Sequence, residues 1–304
     1  MTKYKFAKYI IIVLLGLFIC DVTVSFLIES VMKNRYKKQV YSTYSISADL
    51  VILGASRASH HYIPQVIQDS THLSVVNLGI DGHNIFSQYI ILKSLVEHSK
   101  QKPKVVIFDI NAIDIYDTPK WNTEKLTFFY PYCNSEFFVK DLLKDVLSPL
   151  EYWSLRISGL YRHNSNQIRY LYSIFKRFPI ITDGYIPLYN KWSQPLAVAS
   201  ESNKEISPKK VVYFEKFMDL CKKENICLIV VVSPNYLVSK EKKWVDQIEK
   251  MTAKENVPFL YNEKDSLFLT HAEWFNDPFH LNDEGAHVYT NAVIEKIRES
   301  LFNK

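Results

Sequence analysis

Seven glycines and four cysteines in 304 residues leave little room for folds that depend on either. With so few glycines and 47% apolar residues, the chain is neither fibrous nor disordered and can bury a full core. The cysteines, at positions 20, 133, 221 and 227, form no C-x-x-C pair, so no zinc or redox spacing is present. Cys221 and Cys227 are near enough in sequence to meet at a helix-to-strand junction, although two ordinary buried thiols are the preferred reading. The net charge of +5 comes from scattered lysines rather than a dense basic block. A solvated surface explains that pattern, and nucleic acid is not expected as a partner. The histidines, His83 and His271 included, lack ligand spacing for zinc, so neither a metal nor a cofactor is expected.

What is present begins at the N-terminus. Lys3, Lys5 and Lys8 precede the apolar run Tyr9 to Cys20, and the apolar character continues through Val22, Val24, Phe26, Leu27 and Ile28. About 20 residues suffice for a helix to cross roughly 30 Å of hydrocarbon. Asp21 interrupts the run, which leaves a cleaved signal peptide as the rival reading. Small residues at a credible cleavage point are scarce around Thr23 to Ser25, which favours an uncleaved membrane anchor over residues 1–32. Lys33, Arg35, Lys37 and Lys38 put as much positive charge after the segment as before it, so charge does not fix its orientation.

A polar stalk, residues 33–48, then leads into a body in which strand-like and helix-like segments alternate. Leu50 to Gly54, Leu73 to Asn77, Lys104 to Ile110, Cys227 to Val232 and Val257 to Tyr261 read as buried strands. The helical pattern Ile85, Tyr89, Ile90, Leu92, Leu95, Val96 separates two of them, and Val211 to Lys223, Lys240 to Lys254 and about Asp283 to Phe302 read as further helices. Strand, helix, strand in succession predicts an α/β fold with a parallel sheet covered on both faces. One region, about 114–207, breaks the rhythm. It gathers Trp121, Phe128, Phe129, Tyr130, Tyr132, Phe137, Phe138, Tyr152, Trp153, Tyr161, Tyr170 and Tyr172 among polar residues. A small satellite core explains them, with a sugar-stacking lid or a surface against the bilayer as alternatives.

Two short stretches carry chemistry. Ser56 follows an apolar run ending in Gly54, where a strand turning into a helix presents a hydroxyl at the carboxyl edge of a sheet. Asp277 and His280 are three residues apart, so one turn can aim a carboxylate and an imidazole at one point. A serine at its ordinary pKa attacks carbonyls only when an imidazole takes its proton and a carboxylate fixes the imidazole tautomer. The bland readings are a helix N-cap for Ser56, a hydrogen-bonded loop histidine for His280 and a turn residue for Asp277. Arg57, His60 and His61 flank the serine; contacts to an anionic or sugar ligand and ordinary surface contacts both suit them.

Taken in order, these blocks resemble the SGNH (GDSL-like) hydrolase superfamily. Leu53-Gly54-Ala55-Ser56 is similar to its nucleophile block, Val76-Asn77-Leu78-Gly79-Ile80-Asp81-Gly82 to its second block, Val105 to Asn111 to its third, and Asp277-Pro278-Phe279-His280 to its last. Ala55 stands where the family carries aspartate, and the glycine that usually precedes the third-block asparagine is lacking. Those departures are similar to ones in the membrane-anchored branch that modifies cell-surface polymers.

The resemblance implies a three-layer, flavodoxin-like α/β/α catalytic domain over 49–304 with a mainly helical insertion. It implies Ser56 as nucleophile, His280 as base, Asp277 as its orienting acid, and an oxyanion hole from Ser56, Gly82 and Asn111. The implied activity is serine-dependent acyl ester hydrolysis or O-acyl transfer on a cell-envelope glycan, outside the cytoplasm, with a membrane-bound acyl-donor partner as a further possibility. A catalytically inactive binding or assembly subunit of a membrane complex is the alternative.

Overall fold

The computed structural model describes residues 3–35, 43, 45–163, 184–199, 204–239 and 243–302. Tyr170 and Tyr172, and the part of the stalk at 36–42 and 44, lie outside the described residues. The chain divides into two compact units, Thr43–Asn122 with Ile180–Lys304, and Met1–Ser42 with Thr123–Pro179.

The larger unit is a mixed α/β structure built on a five-stranded sheet. Its strands are β1 (Leu50–Gly54), β2 (Val75–Asn77), β3 (Val105–Asp109), β5 (Cys227–Val232) and β7 (Phe259–Tyr261), in the order β2-β1-β3-β5-β7 with every neighbour parallel. Every residue of β1 and β3 is buried, as expected of strands covered on both faces. Alternation along the strands then sorts side chains into two layers. On one face Leu50, Ile52, Ile107 and Ile229 pack with Tyr62, Tyr289, Val293 and Ile297, the last three from the helix Asp283–Phe302. On the other, Phe108 stacks on Phe217 at 4.8 Å between ring centroids, and Phe86 meets Tyr213 edge-on at 5.1 Å. Those partners come from the helices Ile85–His98 and Pro208–Lys223, which pack on each other.

Counting only this sheet, the order is 2-1-3-4-5, a doubly wound arrangement whose connections reverse direction between β1 and β3. A crevice for ligands is expected at the carboxyl ends of those two strands. Three smaller features were not legible in the sequence. β4 (Ala197–Ala199) pairs in parallel with β6 (Leu237–Ser239), and β8 (Phe275–Asp277) forms a tight antiparallel pair with β9 (His280–Leu281). The segment from Gly184 to Trp192 runs extended over this unit: Ile186 donates its N–H to Ser59, Leu188 accepts from the Asp283 N–H, and Trp192 donates to Phe275.

The smaller unit joins α1 (Lys3–Arg35) to a group of short helices, Phe137–Val146, Pro149–Ile157 and Gly159–His163. Within α1, Tyr4–Ile28 is 25 residues long and apolar enough to cross a membrane, and almost none of it is buried. Phe129, Tyr130, Tyr132, Phe138 and Tyr152 bury together with Leu126, Leu142, Leu143 and Leu155, so much of the aromatic content forms a satellite core. Ser148 and Glu151 make a reciprocal capping box that starts the helix Pro149–Ile157.

Candidate active site

β1 delivers Ser56 to the sheet edge through a turn only glycine can make. Gly54 has φ +148°, and a Cβ there would press on the Asp109 carbonyl and the Ala58 methyl. The six-residue helix Ser56–His61 starts immediately afterwards. Ala55 holds the cap position and Ser56 is the first residue of the helix itself, so Ser56 is not its N-cap. Its Oγ lies 2.7 Å from His280 Nε2, across 224 positions of sequence.

The hairpin β8–β9 holds the histidine. Asp277 Oδ1 accepts the N–H groups of Phe279 (2.8 Å) and His280 (3.1 Å), which locks the turn around Pro278. Both carboxylate oxygens of Asp277 are 2.9 Å from His280 Nδ1, and Asn276 Nδ2 donates to Oδ2 at 3.1 Å. Burial works to raise the Asp277 pKa, but the His280 ring and the Phe279 N–H outweigh it and bring it down to about 2. An ionised carboxylate on Nδ1 requires the proton there, which leaves the Nε2 lone pair facing the serine hydroxyl. The structure therefore brings Ser56, His280 and Asp277 into one hydrogen-bonded row.

The loop after β2 runs beside that row. Ile80 donates its N–H to the Gly54 carbonyl, and His83 donates to Ile80 across a turn in which Gly82 takes φ +72°. Gly79 lies against the helix Ser56–His61 so closely that a Cβ would overlap the Ser59 nitrogen and the Ala58 methyl. Asn111 follows β3, but its Oδ1 caps the next turn, accepting from Ile113 N–H at 2.9 Å, while its own N–H donates to Asp114. That half of the Asn111 amide is committed locally.

The three residues flanking Ser56 turn inward, contrary to a surface placement. Arg57 is buried; its two terminal nitrogens donate to the carbonyls of Ile110 (2.9 Å) and Ser233 (3.2 Å), and its Nε faces Asp109 at 3.7 Å. It thereby ties the helix bearing Ser56 to the ends of β3 and β5. Asp109 also accepts from Tyr62 at 2.7 Å; burial raises its pKa despite the Arg57 charge. His61 is fully buried and bridges two partners. Its Nε2 accepts the Leu281 N–H at 3.0 Å, so its proton sits on Nδ1, which donates to Ser233 Oγ at 2.9 Å. Burial, with the neighbouring His280 and Arg57, holds its pKa well below the ordinary value, and it stays neutral.

His60 is different, because its ring stands edge-on to the His280 ring at 5.6 Å. Nδ1 contacts the Ile186 carbonyl at 2.6 Å and must donate, while Nε2 faces the Asp81 carboxylate at 3.4 Å. Burial opposes its charge, but Asp81 and the Ile186 carbonyl prevail and its pKa is raised. The sequence offered no signal for this pairing, since Ile186 is 126 positions away. Among the described residues, no group of three or more histidine, cysteine, aspartate or glutamate side chains is arranged to hold a metal. Cys133, Cys221 and Cys227 are unbridged thiols.

Fold and site together define a doubly wound α/β protein with a serine–histidine–aspartate row at the carboxyl edge of its sheet. No family model matches the chain, and no curated protein matches it. Among solved structures, a "putative acylhydrolase" from Bacteroides fragilis aligns over 88% of this chain and 96% of its own, with 12% identity and a TM-score of 0.42.

Proposed function

We propose that the protein is a serine-dependent acyl ester hydrolase or O-acyltransferase, anchored in the membrane by α1 and acting on an acylated cell-envelope glycan outside the cytoplasm. The observation that carries this reading is the 2.7 Å contact of Ser56 Oγ with the unprotonated Nε2 of an imidazole held by Asp277. In this mechanism Ser56 attacks the ester carbonyl while its proton passes to Nε2. The tetrahedral intermediate collapses as the C–O bond to the alcohol breaks, and His280 returns the proton to the departing oxygen. Water then resolves the acyl-serine in an esterase, and a sugar hydroxyl resolves it in a transferase. Asp277, kept ionised, stabilises the imidazolium formed in each half.

The negative charge on the former carbonyl oxygen falls to the N–H groups of Ser56 and Gly82. Each such donor contributes about 3 kcal/mol to the transition state. Asn111 joins them only through Nδ2, because its Oδ1 is engaged by Ile113. A membrane-bound acyl donor is a partner for the transferase route alone; the hydrolase route needs none. The test is acetyl-ester turnover and fluorophosphonate labelling of the full chain beside Ser56→Ala. Equal rates in both proteins would remove Ser56 from the chemistry, and glycan binding without any labelling would favour a binding subunit instead.

A further inference from the structure

The helix Pro149–Ile157 is apolar on two opposite sides. Tyr152 and Leu155 point into the satellite core, at 7% and 0% exposure. Leu150, Trp153 and Ile157, at spacings of three and four, form a stripe on the other side and are 79%, 58% and 67% exposed. A helix facing water on that side would carry charged side chains there. Leu160 and Tyr161 extend the exposed apolar character beyond Ser158.

The next residues fix where this helix stands along α1. Asp21 accepts from Ser158 Oγ (2.9 Å) and from the N–H groups of Gly159 and Leu160 (2.8 Å each). Gly159 packs so tightly on Ser25 that any Cβ would overlap the serine side chain. Thr23 donates to the Ile19 carbonyl within its own helix. Asp21 and Thr23 thus have protein partners, as a lipid environment demands. Tyr4–Ile28 are 25 residues, or about 38 Å of helix, more than the roughly 30 Å of hydrocarbon, and Asp21 lies seven residues, about 10 Å, before the end of that span. Asp21 therefore lies toward one face of the membrane, within about 10 Å of the end of the span, and the stripe is attached there.

We infer that the Leu150–Trp153–Ile157 stripe lies in the bilayer, at the boundary of headgroups and acyl chains, so that this helix is a second membrane contact parallel to the surface. A tryptophan flanked by aliphatic residues suits that boundary. The inference rests on reading α1 as a membrane anchor, and the experiment separates the two. The full chain is reconstituted into phosphatidylcholine vesicles, floated on a density gradient, and compared with vesicles brominated at carbons 6 and 7 of the acyl chain.

The expected result is flotation together with strong quenching of tryptophan fluorescence. With Trp121→Phe as the common background, that quenching falls by about half or more in Trp153→Phe, because Trp244 is buried and Trp192 and Trp274 are half-buried. Leu150→Glu combined with Ile157→Glu should still float yet lose the quenching of the retained Trp153. Failure to float would sink the anchor reading and this inference with it. Flotation with equal quenching in that background with and without Trp153→Phe would overturn the inference alone. The same holds if a second copy, detected by concentration-dependent shielding, rather than lipid covers Trp153.

Discussion

Replacing Asp277 by asparagine changes one atom of the site and tests how the imidazole is oriented. Two backbone N–H groups, from Phe279 and His280, point at Oδ1, so the amide oxygen of the variant must take that place to keep the turn. The amide nitrogen then occupies the Oδ2 place, 2.9 Å from His280 Nδ1. Where the amide nitrogen donates to Nδ1, the ring proton moves to Nε2 and faces Ser56 Oγ; where Nδ1 keeps its proton on the amide oxygen, also 2.9 Å away, the carboxylate charge that stabilises the imidazolium is gone. A ring protonated at Nε2 cannot accept the serine proton. The expected loss is about three to four orders of magnitude in rate, or roughly 4–5 kcal/mol of barrier at 1.36 kcal/mol per tenfold. Fluorophosphonate labelling is the assay, because it reports activation of the serine whatever the natural acyl acceptor is. Ser56→Ala sets the background, and unchanged circular dichroism certifies the fold. Labelling of Asp277→Asn at the wild-type rate would refute the assignment of a tautomer to this carboxylate.

Further expectations concern the frame around the row. Gly79→Ala pushes a methyl into the backbone of the helix bearing Ser56, with an expected loss of about 1–3 kcal/mol, read as a lower urea midpoint. Lys210 is fully buried, with Nζ donating to the carbonyls of Ile113 and Tyr116 and to Thr118 Oγ1. Lys210→Met removes the donor from those three acceptors, at about 1–3 kcal/mol for each buried group left unsatisfied, so several kcal/mol of unfolding free energy should disappear. His60 has a raised folded pKa, so its ionised contact with Asp81 adds stability that is full below the unfolded pKa and is lost as pH climbs through the folded one. His60→Gln should therefore be less stable than wild type near pH 5.5 and close to it near pH 9. Asp49, bonded to Lys104 and Ser74, has its pKa lowered to about 2. Asp49→Asn should be the less stable chain at neutral pH, with the gap to wild type closing as acid brings both from pH 4 toward 2.

Much of the fold was legible because each strand signal was local. The run Cys227–Val232 and the helix Asp283–Phe302 appear with the bounds their patterns predict. The helix at 208 begins three residues earlier than its apolar period indicated, because Pro208 opens its first turn. The positions of Ser56, Asp277 and His280 were legible because a strand end and a tight acid–histidine turn are written in consecutive residues. What escaped is long-range. The inward turn of Arg57 depends on carbonyls 53 and 176 positions away, and the His60 contact on Ile186. The engagement of Asn111 Oδ1 also escaped, because a short polar side chain after a strand can cap the turn that follows it.

The distance along the chain between the hydroxyl and its imidazole has a temporal consequence. During synthesis the first strand, its turn and its serine emerge early, while the hairpin that completes the row waits for more than two hundred further residues. The same late stretch supplies Thr290, which closes onto the backbone of His61 and Ile63. A nascent polypeptide that has not yet passed this point carries an ordinary alcohol with no proton acceptor beside it. A translation product that ends before His280 therefore lacks the row altogether.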